Sequence, residues 1–270
     1  MIGQTRFQEN IKRLSENGTF PRFSIIVGKT GSGRKTSAKE ISKVLGIQYV
    51  LWNNKIEDIR ELKQIMENQS EEILYCIPNY EDMSLGARNS VLKMCEEPPR
   101  NAYIVLTSYS QDIIIPTILS RGTLFELDGY SCEELKQIAL DCFGIDKDKL
   151  EDALQISEVP GELELTNNVN LGEFKEFVSI LWNNIGKASS GNLLKVTSKL
   201  KLKDDSSGYD LVLFINALMN ANRSLKTSRK KLDIYNEIIL AKRNIQLKYN
   251  KLYIIDNLLL NIRSILNGTV

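Results

Sequence analysis

The 270 residues contain no histidine, which removes Ser-His-Asp and Cys-His nucleophilic machinery and the commonest zinc ligand together. Cysteine is scarce: Cys76, Cys95, Cys132 and Cys142 stand apart with no CxxC pair. Neither a zinc site nor a disulfide framework is expected from them, and four buried free thiols are. No apolar run approaches the ~18 residues of a membrane span. The start, MIGQTRFQENIKRLSENG, lacks the basic-then-apolar layout of a secretory signal. A cytoplasmic chain is the expectation. The remaining composition, 42% hydrophobic and 26% charged, is that of a globular protein, long enough for about two or three domains.

Charge is balanced in total and lopsided in distribution. Up to residue 170 there are 19 Lys and Arg against 26 Asp and Glu, a net −7; from 171 onward there are 16 against 8, a net +8. Such a split suits either a nucleic-acid surface or solvated basic helix faces lying on acidic neighbours.

Apolar strand patterns alternate with helical ones over the first 130 residues, the βαβ signature of a parallel sheet with helices on both faces. The strands are expected at Phe23 to Val27, Gln48 to Leu51, Ile73 to Ile77, Ala102 to Thr107 and Thr123 to Leu127. Helices are expected at Thr36 to Leu45, Lys55 to Asn68 and Leu85 to Glu96, the last stopped by Pro98-Pro99. Beyond Asp128-Gly129 the strand signal ends. Ser131 and Glu134 form a capping-box pattern, a further helix is expected over Asp146 to Ile156, and Val159-Pro160-Gly161 breaks the chain again. From 171 the pattern is a helical bundle, with DDSSG, Asp204 to Gly208, as its clearest loop.

The segment Gly28 to Thr36, GKTGSGRKT, is almost a phosphate-binding loop. A working loop, GxxxxGK[ST], sets backbone N–H groups and a Lys on phosphates and a hydroxyl on Mg²⁺. Gly28, Gly31 and Gly33 keep the frame, but Arg34 stands at the Lys position and Lys35 at the hydroxyl position. A one-residue slip would let Lys35 and Thr36 supply the missing pair. Without the slip, backbone N–H groups with Arg34 and Lys35 still offer residual nucleotide binding at most.

Ser90 to Gly122, SVLKMCEEPPRNAYIVLTSYSQDIIIPTILSRG, resembles the signature of bacterial clamp-loader subunits of the AAA+ superfamily. The resemblance rests on Leu92, Lys93, Glu96, Glu97, Pro98 and Pro99, then Pro116, Thr117, Ile118, Leu119, Ser120 and Arg121. Ile2-Gly3-Gln4 and Pro160-Gly161 resemble further family positions. It implies an α/β AAA+ domain of P-loop NTPase type over 1–130, a small helical lid over 131–170 and an all-α collar over 171–270.

Within the family the departures are informative. Its Walker B strand ends in two acids that hold Mg²⁺ and polarise water; here Pro78 and Asn79 follow Ile77. Glu81 and Asp82 come later, as acids expected at a helix start for dipole reasons. Thr107-Ser108-Tyr109 keep sensor hydroxyls, and Gly161-Glu162-Leu163-Glu164 offers only acid where active relatives carry a sensor Arg. Ser120-Arg121 matches the family's SRC motif, whose Arg acts as a finger on a neighbour's ATP, with Gly122 in place of Cys.

Losing the pocket while retaining the finger is the pattern of the non-hydrolysing delta-prime class. The resemblance therefore implies no ATPase activity of the chain's own, no required cofactor beyond a neighbour's ATP, and no metal. It implies gamma/tau and delta clamp-loader subunits, the sliding clamp and primed DNA as partners, with no membrane. The alternatives are a gamma-type ATP-hydrolysing subunit with a slipped loop, a stand-alone interaction scaffold, and a DNA-binding protein acting alone through 171–270.

Overall fold

A computed structural model describes residues 1–202 and 208–268. Asp204 to Ser207 of the expected loop lie outside the described residues. The chain divides into two compact units, Met1–Glu134 and Leu135–Val270.

The first unit is a five-stranded parallel sheet in the order β2-β3-β4-β1-β5, with β1 Phe23–Val27, β2 Gln48–Leu51, β3 Ile73–Ile77, β4 Ala102–Ser108 and β5 Thr123–Glu126. Each strand falls within one residue of its expected bounds. The central strands are legible because a parallel sheet covered on both faces needs unbroken apolar runs; β1, FSIIV, is buried throughout. The helices are α1 Thr5–Glu16, α2 Arg34–Leu45, α3 Ile56–Asn68, α4 Leu85–Glu96 and the short α5 Pro116–Leu119.

Alternate side chains of the strands feed two cores. Ile25, Tyr75, Ile77, Ile104 and Leu106 pack with Ile59, Leu62 and Met66 of α3 and Val91 and Met94 of α4. Ile26, Leu74, Cys76 and Val105 pack with Phe7 and Ile11 of α1 and Ala38 and Ile41 of α2. Local chemistry sets the helix ends. Ser84 Oγ accepts the Ala87 N–H at 3.2 Å to start α4. Gly46, at φ 68°, closes α2 with its N–H on the Lys43 carbonyl.

The capping box forms as expected: the Ser131 N–H donates to Glu134 Oε2 at 2.7 Å and the Glu134 N–H to Ser131 Oγ at 3.2 Å. It opens α6, Cys132–Asp141, which leads into the second unit. There follow α7 Lys147–Gln155, α8 Pro160–Thr166, α9 Leu171–Asn184, α10 Ser190–Leu194, α11 Leu211–Arg223, α12 Arg229–Gln246 and α13 Lys251–Asn267. α11 is the centre of this unit, with Leu213, Phe214, Ile215 and Leu218 fully buried. Its N-cap Asp210 accepts the Val212 and Leu213 N–H groups. Phe174, Phe177 and Phe214 gather about the Tyr209 and Phe177 rings, with centroids 4.9–6.0 Å apart. Among the described residues no helix is long and apolar enough to cross a membrane.

One expectation is corrected. Cys76 and Cys95 are buried, but Cys132 and Cys142 are exposed. The latter two stand at the first position of α6 and just beyond its end, off the face that buries Leu135, Ile138 and Ala139. Burial pushes the Cys76 thiol up to about 11, against the pull of its hydrogen bond with Tyr49 and of the Lys35 and Arg34 charges.

Candidate functional site

β3, β4 and β1 are neighbours, so their carboxyl ends lie side by side, the edge at which α/β sheets bind ligands. The phosphate-loop sequence follows β1. Gly31 and Gly33 take φ of 83° and 86°, left-handed values that a side chain would strain. At Gly28 the constraint is space: an added Cβ would lie 2.6 Å from Ser32 Oγ and 3.1 Å from Leu127 Cβ. The Gly28 N–H donates to the Ser108 carbonyl at 3.2 Å, tying loop to sensor strand.

Helix α2 starts at Arg34, with Gly33 as N-cap. The Arg34 side chain is 8% exposed, and Nη1 meets Glu81 Oε1 at 3.2 Å, itself on a side chain only 12% exposed. Arg34 Nη2 donates to Asn79 Oδ1 at 3.4 Å. Glu81 Oε2 accepts the Tyr109 N–H at 3.4 Å, and the Glu81 carbonyl accepts from Arg88 Nη2 at 3.4 Å. The loop helix and the turn after β4 thus converge on the one carboxylate that the turn after β3 presents. Lys35 and Thr36, by contrast, are exposed.

Glu81 is more than a helix-start acid. Asn79 takes φ 55° and ψ 66°, a left-handed conformation that Asn tolerates. Its N–H donates to Thr107 Oγ1 at 3.1 Å. The turn leads into the single 3₁₀ turn Tyr80–Asp82 and presents Glu81 to Arg34. The Thr107 and Ser108 hydroxyls are committed as well: Thr107 Oγ1 accepts the Asn79 N–H, and Ser108 Oγ donates to the Ser110 carbonyl at 2.9 Å. Nothing local in the sequence marks the Arg34 and Glu81 pairing across 47 positions.

Tyr130, which motif reading passes over, braces the loop, and Gln4, of the Ile2-Gly3-Gln4 match, braces the chain just after β5. Tyr130 Oη donates to the Ser32 carbonyl at 2.9 Å. Gln4, 4% exposed, binds the Asp128 backbone on both sides, Nε2 to the carbonyl at 2.7 Å and Oε1 from the N–H at 2.8 Å. Beside Gln4, Gly3 takes φ 70°, and an added Cβ there would lie 3.0 Å from the Tyr130 ring.

Arg121 lies elsewhere, just past α5, and its side chain is 36% exposed. Nη1 donates to the Thr117 carbonyl at 2.6 Å and Nη2 to Glu96 Oε1 at 3.1 Å. The EEPP and PTILSRG halves of the signature therefore meet through an ion pair. Ser120 Oγ donates to the same Thr117 carbonyl at 3.2 Å. At Gly122 an added Cβ would lie 2.7 Å from Ile25 Cδ1, 2.8 Å from Ile25 Cγ1 and 2.8 Å from Phe23 Cε1. Strand β1 fills the space that a cysteine would need.

In the second unit Glu162 is the notable acid. Its Oε2 accepts the Glu158 N–H at 2.6 Å. Burial pushes its carboxyl above the usual range, against hydrogen bonds from Glu158 and Asn216 and the Lys242 charge.

The chain is similar to known proteins in sequence and in fold. The family described as DNA polymerase III, delta subunit, matches residues 48–131. DNA polymerase III subunit tau of Bacillus subtilis is 23% identical over 231 residues, 74% of this chain and 39% of that protein. DNA polymerase III subunit delta' of Buchnera aphidicola is 37% identical over 92 residues, 34% of this chain and 26% of that protein. This chain thus spans about two fifths of the first relative and a quarter of the second. The Thermotoga maritima RuvB Holliday junction branch migration motor matches in fold, with a TM-score of 0.51 and 16% identity over 90% of this chain and 78% of that one. The EEPP and SRG motifs lie inside residues 48–131, the part of the chain that is similar to the DNA polymerase III delta-subunit family.

Proposed function

We propose that this chain is a delta-prime-type subunit, which does not hydrolyse ATP and completes a neighbour's ATP site with Arg121. The observation that carries the reading is the Arg34–Glu81 pair. Phosphoryl transfer relies almost wholly on positioning and charge stabilisation by a phosphate clamp, a metal and an oriented water. Here the cation at the clamp position is spent on an internal carboxylate, and Asn79, at the end of β3, lacks the acid function for metal and base work. Arg121 is outside this cluster and reaches the surface.

On this reading residues 131–170 are a lid and 171–270 a collar that joins the assembly. The partners are gamma/tau and delta subunits, the sliding clamp and primed DNA, in the cytoplasm. Nucleotide retention by Gly28, Gly31, Gly33, Arg34, Lys35 and Thr36 is residual at most. The second reading, a gamma-type motor using Lys35 and Thr36, is favoured by the tau likeness extending over 74% of the chain. An ATPase assay separates them: the purified chain is expected to show no Mg²⁺-dependent turnover, and turnover abolished by Lys35→Ala would establish the motor instead.

A further inference from the structure

We infer that Glu96 is the positioning residue for Arg121, which rests on the finger role proposed above. Glu96 is the last residue of α4 and Glu97 its C-cap. A helix C-terminus carries partial negative charge and favours cations, so acid there is electrostatically unfavourable. The cost is offset only if the carboxylate has a partner, and the partner in place is Arg121 Nη2 at 3.1 Å.

The second anchor is the Thr117 carbonyl on Nη1, one of the carbonyls that the end of α5 leaves without an intrahelical partner. Two anchors on the two terminal nitrogens fix the plane of a side chain that otherwise has many rotamers. They use two of the five guanidinium donors and leave three for anionic oxygens. Each anchor comes from a different half of the signature, α4 with EEPP and α5 with PTILSRG. The co-occurrence of the two motifs then has a physical reason: the first half aims the second.

The test is single-turnover ATP hydrolysis by the complex reconstituted with its ATP-hydrolysing partner subunits, using Glu96→Gln, Arg121→Ala and the double variant. Glu96→Gln keeps the side-chain shape and removes the charge. It is expected to slow hydrolysis at the one ATP site that this chain serves about three- to fivefold, the range of an exposed ion pair, with the ATP affinity of the complex unchanged and the melting temperature of the chain within about 2 °C. The double variant is expected to be no slower than Arg121→Ala, because Glu96 acts only through Arg121.

Full turnover or faster turnover by Glu96→Gln, with Arg121→Ala slow, would overturn the positioning role and leave the finger standing. A double variant slower than Arg121→Ala would overturn it too. Full turnover by Arg121→Ala would instead remove the finger reading itself.

Discussion

The guanidinium of Arg34 and the carboxylate of Glu81 form a 3.2 Å ion pair, with side chains 8% and 12% exposed, between the phosphate-loop helix and the end of β3. A charge this deep is costly to leave without its partner. Glu81→Ala takes the carboxylate away from the Arg34 guanidinium and from the Tyr109 N–H together. It is expected to cost about 2–4 kcal/mol, read as a lowered urea midpoint with an unchanged slope. The paired replacement Arg34→Met with Glu81→Leu is expected to cost less than the sum of the two single variants, because neither charge is then stranded.

The same pair yields a ligand prediction. Glu81 supplies the anion that faces Arg34 and the Tyr109 N–H, so Glu81→Ala removes that anion and leaves its place to an added one. Phosphate or ATP without Mg²⁺ is expected to raise the melting temperature of Glu81→Ala and to leave that of the native chain within about 1 °C, since a ligand stabilises only the state that binds it. Equal shifts for both proteins would mean that the loop binds anions independently of the ion pair.

The central strands were legible in the sequence because each is a short, mainly apolar run between turn residues, as β1 and β3 illustrate. Ser131 and Glu134 were legible for a similar reason, since a capping box is a spacing of three. The Arg34 and Glu81 pairing was not, because it is made by a left-handed Asn79 and a single 3₁₀ turn, which no periodicity encodes. The exposure of Cys132 and Cys142 was missed because cysteine carries a burial preference as a residue type, while helix position decides the individual case.

Gly122 illustrates a departure from a motif that packing explains. An added Cβ lies 2.7–2.8 Å from side-chain atoms of Ile25 and Phe23, both buried in β1. Gly122→Cys, which restores the family's residue, is expected to destabilise by about 1–3 kcal/mol through overpacking. Urea unfolding measures it. An Ile25→Ala background is expected to relieve most of that cost by opening space at the Ile25 branch.

Glu162 supplies a pH prediction of definite sign. Burial raises its folded-state value above 4.5, so across the window from 4.5 up to the folded value the native state binds more protons than the unfolded state. Stability contributed by this group therefore falls as pH rises through that window. Lys242 and the Glu158 N–H pull the other way without reversing the direction. Glu162→Gln retains an acceptor for the Glu158 N–H and is expected to flatten the decline, giving a urea midpoint above that of the native chain at neutral pH. A native chain that gains stability relative to this variant over the same window would contradict the assignment.

Arg121→Ala is the decisive substitution for the functional reading. The side chain is 36% exposed and its pair with Glu96 is a surface one, so the fold loses at most about 1 kcal/mol, and assembly with partner subunits is expected to persist in gel filtration. Arginine fingers supplied in trans to GTPases are worth about 10³–10⁵ in rate. A loss of about tenfold or more is therefore expected at the one ATP site that this chain serves. Steady-state turnover of a loader with several sites dilutes that loss, so single-turnover hydrolysis is the better measurement: one fraction of the bound ATP slows while the rest keeps its rate. Arg121→Lys is expected to recover little, because an ammonium keeps the charge but not the planar fork of donors.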